Sequence, residues 1–148
     1  MLIVWRDQMS VDGGVIDSDH KVLIGIINEF SAVEATASAV PMLKGVLAKL
    51  DQYAKTHFER EERLQKSVSF PFHQAHVRAH EGLIRQLSEV EAKLNATAAT
   101  TNAAELAALH TRLAEFLHHW LIDHIIGTDL RMKPFTKAMR PLASKLGE

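Results

Sequence analysis

The chain has 148 residues, 47% of them hydrophobic and 24% charged, which is enough for one packed domain and too little for two. It has no cysteine, which excludes disulfide frameworks, thiolate-held zinc or iron–sulfur clusters and cysteine nucleophiles. A net charge of −1 offers no basic surplus for nucleic acid or an anionic membrane, and no apolar run reaches the roughly eighteen residues of a membrane span.

Residues 1–16 contain Gly13-Gly14 and lack a helical period, so they form an irregular arm that Trp5 and Met9 pack onto the body. Arg6 and Asp7 cut short the apolar start, so no signal peptide is expected and the chain is placed in the cytoplasm. A first helix opens at Asp17 or Ser18, both good N-caps, carries Leu23, Ile24, Ile27, Phe30 and Val33 at helical spacing, and ends near Ala37. The second opens at Pro41, and its inner stripe runs from Leu43 through Leu50, Ala54, His57, Phe58 and Glu61 to Leu64. The third follows Pro71 and runs to about Asn95, with His73, His76, His80, Leu83, Ile84, Leu87 and Leu94 near one face. A small, polar loop spans 95–102. The fourth helix starts at Asn102 or Ala103 and buries Leu106, Leu113, Leu117, Trp120, Leu121 and His124. Pro134 opens a short tail helix over 134–146. The pattern predicts an all-α single domain, an antiparallel up-down-up-down four-helix bundle over 17–131.

The polar residues on the inner stripes are mostly histidines and carboxylates, and the chain has nine histidines. A carboxylate in a core costs several kcal/mol unless it meets a cation. His57 and Glu61 are four apart, as are His76 and His80, so each pair shares a helix face about 40° wide. In an antiparallel bundle the starts of the first and third helices lie beside the ends of the second and fourth. His20, His57, Glu61, His76, His80, His124 and Asp129 therefore converge at one end. Two six-coordinate metals offer about twelve positions; five imidazoles, two bridging carboxylates and one solvent-derived bridge fill all but about one, and this donor set suits iron, with manganese or zinc as alternatives. Asp129 lies five residues after His124, about 140° away on a regular helix. A π-bulge, a wide turn or the end of the helix near Gly127 has to swing it inward.

Ile16-Asp17 before His20, the run His57-Phe58-Glu59-Arg60-Glu61-Glu62, the pair His76 and His80, and Trp120-Leu121-Ile122-Asp123-His124-Ile125 leading to Asp129 resemble the hemerythrin family, and its single-domain bacterial members in particular. The resemblance implies two iron ions with a bridging oxo or hydroxo group that bind O2 reversibly, for storage, transport or delivery to an oxygen-consuming enzyme. By that pattern His76, His80 and His124 hold the saturated iron, His20 and His57 the open one, and Glu61 and Asp129 bridge them. Leu23, Phe58, Trp120, Leu121 and Ile125 match the family's apolar O2 pocket. The resemblance implies no enzyme activity and no nucleic-acid partner, and a monomer is favoured. Ferritin-like di-iron sites use four carboxylates and two histidines; a set richer in imidazole carries less negative charge and favours ferrous iron over oxidation chemistry. An O2 or iron sensor acting through a partner, a di-iron enzyme handling peroxide or nitric oxide, and a metal-free bundle are the competing readings. Of the other polar residues, His73 reads as a surface histidine, His110 lies too far up its helix, His118 and His119 fall at the surface or rim, and Glu59 and Glu62 are solvated. Asp19 adjoins His20, with no role legible.

Overall fold

A computed structural model describes residues 2–97 and 101–147, with the Thr97 side chain excepted. The described residues form five α-helices: α1 (Val15–Ala32), α2 (Val40–Ser67), α3 (His73–Thr97), α4 (Ala103–Gly127) and α5 (Thr136–Leu146). No strand occurs among them. α1 packs against α2 and α4, and α3 packs against the same two, which closes the first four helices into a ring around one core. No described helix is long and apolar enough to cross a membrane.

The helix boundaries depart from the sequence expectation where a side chain upstream supplies the cap. α1 starts at Val15, not at Asp17 or Ser18, because the Asp12 carboxylate accepts from the backbone N–H groups of Gly14, Ile16 and Asp17. Asp17 instead turns back to the arm and accepts from the Val11 and Gly13 N–H groups and the Ser10 hydroxyl. α1 ends at Ala32 rather than Ala37, and a 3-10 turn at Ala37–Ala39 leads into α2, whose first turn holds Pro41 as expected. α3 runs past Asn95 to Thr97; of the expected loop, residues 98–100 lie outside the described set. The Asn102 side chain caps α4 by accepting from the Glu105 N–H at 2.9 Å. Pro134 does not open the tail helix. It lies in a 3-10 stretch, Asp129–Phe135, and α5 begins at Thr136. The arm is irregular apart from a 3-10 turn at Asp7–Met9, and Asn28 clasps it by accepting from the Ile3 N–H and donating to its C=O, both at 2.8 Å.

The core is in two parts. The larger fills the ring and includes Leu23, Ile27, Phe30, Leu47, Leu87, Leu117, Leu121 and Ile125. The smaller closes one end with Val11, Ile16, Leu64, Phe70, Met132 and Met139, so α5 acts as a plug. Between them lies a level of polar side chains: on α1 His20 sits between Ile16 and Leu23, and on α2 Glu61 sits between Phe58 and Leu64.

Candidate metal centre

All seven candidate ligands are buried: His20, Glu61 and Asp129 fully, His57 to 1% exposed, and His124 the most open. They form two groups whose donor atoms lie within 4.8 Å of one another, Glu61, His76, His80, His124 and Asp129 in one, His20, His57, Glu61 and Asp129 in the other. The imidazole rings separate in the same way. His76, His80 and His124 lie 4.6–5.3 Å apart between centroids, and His20 lies 4.9 Å from His57.

The two carboxylates belong to both groups, and each divides its oxygens between them. Glu61 Oε1 faces His76 Nε2 at 3.2 Å and His80 Nε2 at 3.3 Å, while Oε2 faces His57 Nε2 at 2.9 Å and His20 Nε2 at 3.3 Å. Asp129 Oδ1 faces His76 and His124 Nε2, both at 2.9 Å, and Oδ2 faces His20 Nε2 at 3.0 Å. Asp129 reaches this position because α4 stops at Gly127. Thr128 leaves the helix with φ −125° and ψ −55°, and the 3-10 stretch turns the carboxylate inward. This is the helix end that the five-residue spacing demanded.

The short N···O approaches are largely not hydrogen bonds. His20 Nε2, His80 Nε2, His124 Nε2, Glu61 Oε2 and both Asp129 oxygens are buried with no hydrogen-bond partner. Buried lone pairs aimed at one another are unfavourable unless a proton or a metal cation lies between them. Burial pushes Glu61 up, yet His57, His20 and His76 around it hold its carboxyl well below the usual range. Burial pushes His20 and His76 down, but the Asp129 and Glu61 carboxylates outweigh it and raise them to about 10 and about 9. The pocket therefore favours positive charge at its centre. Imidazole nitrogen and carboxylate oxygen are donors suited to divalent transition metals, so the residues present fit two metal ions.

The profile of the hemerythrin HHE cation binding domain matches residues 14–136. The chain belongs to the hemerythrin family. It is 27% identical over 128 residues to a bacteriohemerythrin of Stenotrophomonas maltophilia, covering 86% of this chain and 77% of that protein. It is 29% identical over 127 residues to a bacteriohemerythrin of Pseudomonas aeruginosa, covering 86% and 76%. With a myohemerythrin of Riftia pachyptila it shares 29% over 130 residues, 88% and 90% of the two chains. Leu23, Phe58, Trp120, Leu121 and Ile125, which the family resemblance picked out, are all buried in the larger core, beside the cluster. Phe58 stacks flat on His80, 3.9 Å between centroids and 8° between planes.

Two residues that sequence reasoning passed over belong to this hemerythrin-type centre. Asp19 is buried and takes the His57 Nδ1 hydrogen at 2.9 Å, while also accepting from the Tyr53 hydroxyl at 2.9 Å and pairing with Arg60 at 3.3 Å. Burial pushes Asp19 up; His57, Tyr53 and Arg60 together bring it below its ordinary value. Glu62 is half-buried rather than freely solvated, and lies 2.7 Å from His80 Nδ1. Both carboxylates fix the ring tautomer that turns Nε2 toward the centre. Carboxylates adjoining a ligand in sequence, at 19 and 62, were the available signal. His73 is half-buried rather than on the surface, with Nδ1 3.0 Å from Gln65 Oε1. His110 bonds the Phe30 carbonyl at 2.8 Å, far from the centre, and His119 is exposed.

Proposed function

We propose that this hemerythrin-family chain binds molecular oxygen reversibly at a di-iron centre, as an oxygen carrier or store. The observation that carries the reading is the asymmetry around two shared carboxylates: three imidazoles on one side of Glu61 and Asp129, and two on the other. His76, His80 and His124 would hold one iron, His20 and His57 the second, and Glu61 and Asp129 would bridge them, with a solvent-derived oxo or hydroxo group as the third bridge. One imidazole fewer on the His20 and His57 side leaves room for a small ligand there. Two ferrous ions held there would supply the electrons that O2 takes up on binding and gives back on leaving.

The chain's own residues supply the rest. Asp19 and Glu62 hold the His57 and His80 rings by Nδ1. Leu23, Phe58, Trp120, Leu121 and Ile125 keep water, and with it protons, away from the ligand, which favours release of O2 over its irreversible reduction. With five neutral imidazoles and two carboxylates, the donor set carries little net charge against two divalent ions, which a core tolerates.

Metal analysis of protein purified without oxygen, followed by O2 titration, tests this. Two irons per chain and a colour change that reverses on deoxygenation are expected. Absence of stoichiometric metal, or steady turnover of peroxide or nitric oxide in place of reversible binding, would overturn it.

A further inference from the structure

A centre buried this deeply needs a route by which cations reach it. Resting on the reading of the cluster as a metal centre, four observations mark one. His124 is the most exposed of the seven clustered side chains, at 8% against 2% or less for the others. It lines a cleft of about 440 Å³ between α3 and α4. The α3 wall of that cleft carries the small residues Ala79 and Gly82 beside Leu83 and Gln86, and a Cβ placed on Gly82 would meet only Arg85 Nη2, at 3.8 Å. At its rim His119 and Asp123, one turn apart on α4, bring Nδ1 and Oδ1 within 3.8 Å with side chains 71% and 72% exposed.

His57 and His80 are each tied through Nδ1 to a carboxylate, and among the described residues no such tie is seen for His20, His76 or His124. Of these three, His124 is the one that borders the cleft. The groove between α2 and α3 also reaches the cluster, at His80, and carries Glu59, Glu62 and Glu81. There the approach is shut, because Phe58 lies flat on the His80 ring and Glu62 holds it.

We propose that hydrated divalent transition-metal ions enter the centre through the α3–α4 cleft. Asp123 and His119 capture the ion at the mouth, since carboxylate and imidazole displace its water well. His124, which borders the cleft, passes it inward to His76, His80 and the shared carboxylates.

Uptake of Co(II) by demetallated protein and release of metal from loaded protein to excess chelator, both followed by absorbance, test the route. The pair His119→Gln with Asp123→Asn is expected to slow uptake about threefold or more, through loss of local attraction. Gly82→Leu, which plugs the cleft, is expected to slow uptake and release about tenfold, with two metals per chain still bound and helix content unchanged. Ser88→Leu, on the α2–α3 groove, should leave both rates alone. Wild-type rates in both the rim pair and Gly82→Leu overturn the route, as does a slowing confined to Ser88→Leu. Release from loaded protein keeps the test decisive if the demetallated form does not hold its fold. Wild-type protein that takes up no stoichiometric metal overturns the reading of the centre itself, a distinct outcome from unaltered rates.

Discussion

At the scale of single residues, the centre depends on side chains that would touch no metal. Asp19 is the clearest, since it sits between His57 on one side and Tyr53 and Arg60 on the other. Asp19→Ala frees the His57 ring to turn and is expected to lower metal affinity about 10–100-fold, as removal of such an outer carboxylate does elsewhere. Asp19→Asn should fall between, because its amide oxygen still accepts from Nδ1. Competition with a chelator of known affinity measures both, and an Asp19→Ala protein that binds as tightly as the parent would contradict the role. Leu121 makes the complementary case. It is 3% exposed beside the clustered histidines, and Leu121→Asn introduces a group that recruits water. The oxygenated form of that variant is expected to oxidise irreversibly about ten times faster or more, on the general scale of a lost apolar shield. An unchanged lifetime of the oxygenated form would remove Leu121 from the pocket.

At the scale of the elements, the decisive feature is where α4 ends. The spacing from His124 to Asp129 required a break, and Gly127 looked like its cause. The helix does stop at Gly127, but a Cβ there would meet nothing within 4 Å and the residue does not adopt a positive φ. The break lies in Thr128 and the 3-10 stretch that follows, not in glycine's freedom. Gly127→Ala is therefore expected to keep both metals and to gain up to about 0.5 kcal/mol from helix propensity. Asp129→Ala, by contrast, removes the carboxylate that this turn carries inward, and should cost the metals. Metal content and thermal melting of the two variants check this. The same comparison shows what the sequence could and could not tell. The four helices and their inner stripes were legible because apolar period and breaker residues are local signals. The first residue of α1 was not: Asp12 caps α1 from outside the helix, so Asp17 read as a cap when it serves the arm. The seven clustered side chains stood out because a polar group on an apolar stripe needs a compensating partner. Glu62 did not, since it follows Glu61 on a face that looks solvated, and its contact with His80 depends on how α2 and α3 rotate against each other.

At the scale of the whole molecule, the cluster ties stability to charge at the centre. His20 and His76 are raised to about 10 and about 9 by the two carboxylates. A histidine raised in the fold stabilises it fully below the unfolded value near 6.5, and loses that contribution as pH climbs through the folded value. Metal-free protein should accordingly lose stability as pH rises from near 7 to about 10, while metal-loaded protein, with cations in place of those protons, should not. Loading near neutral pH should also release protons. Melting curves of both forms across this range, and a metal titration in unbuffered solution, give the two readouts. A metal-free form whose melting temperature is flat to pH 10 would show that the histidines are not protonated by their neighbours.

The flat stack of Phe58 on His80 gives the molecule a label of its own. Of the chain's six phenylalanines, Phe58 lies face to face on an imidazole of the cluster, while Phe70 meets His76 edge-on at 6.3 Å, so a paramagnetic ion held by these histidines would displace the Phe58 resonances most. In a Co(II)-substituted sample with labelled phenylalanine, the most strongly shifted aromatic signals should report occupancy of the three-imidazole side, with no dye attached.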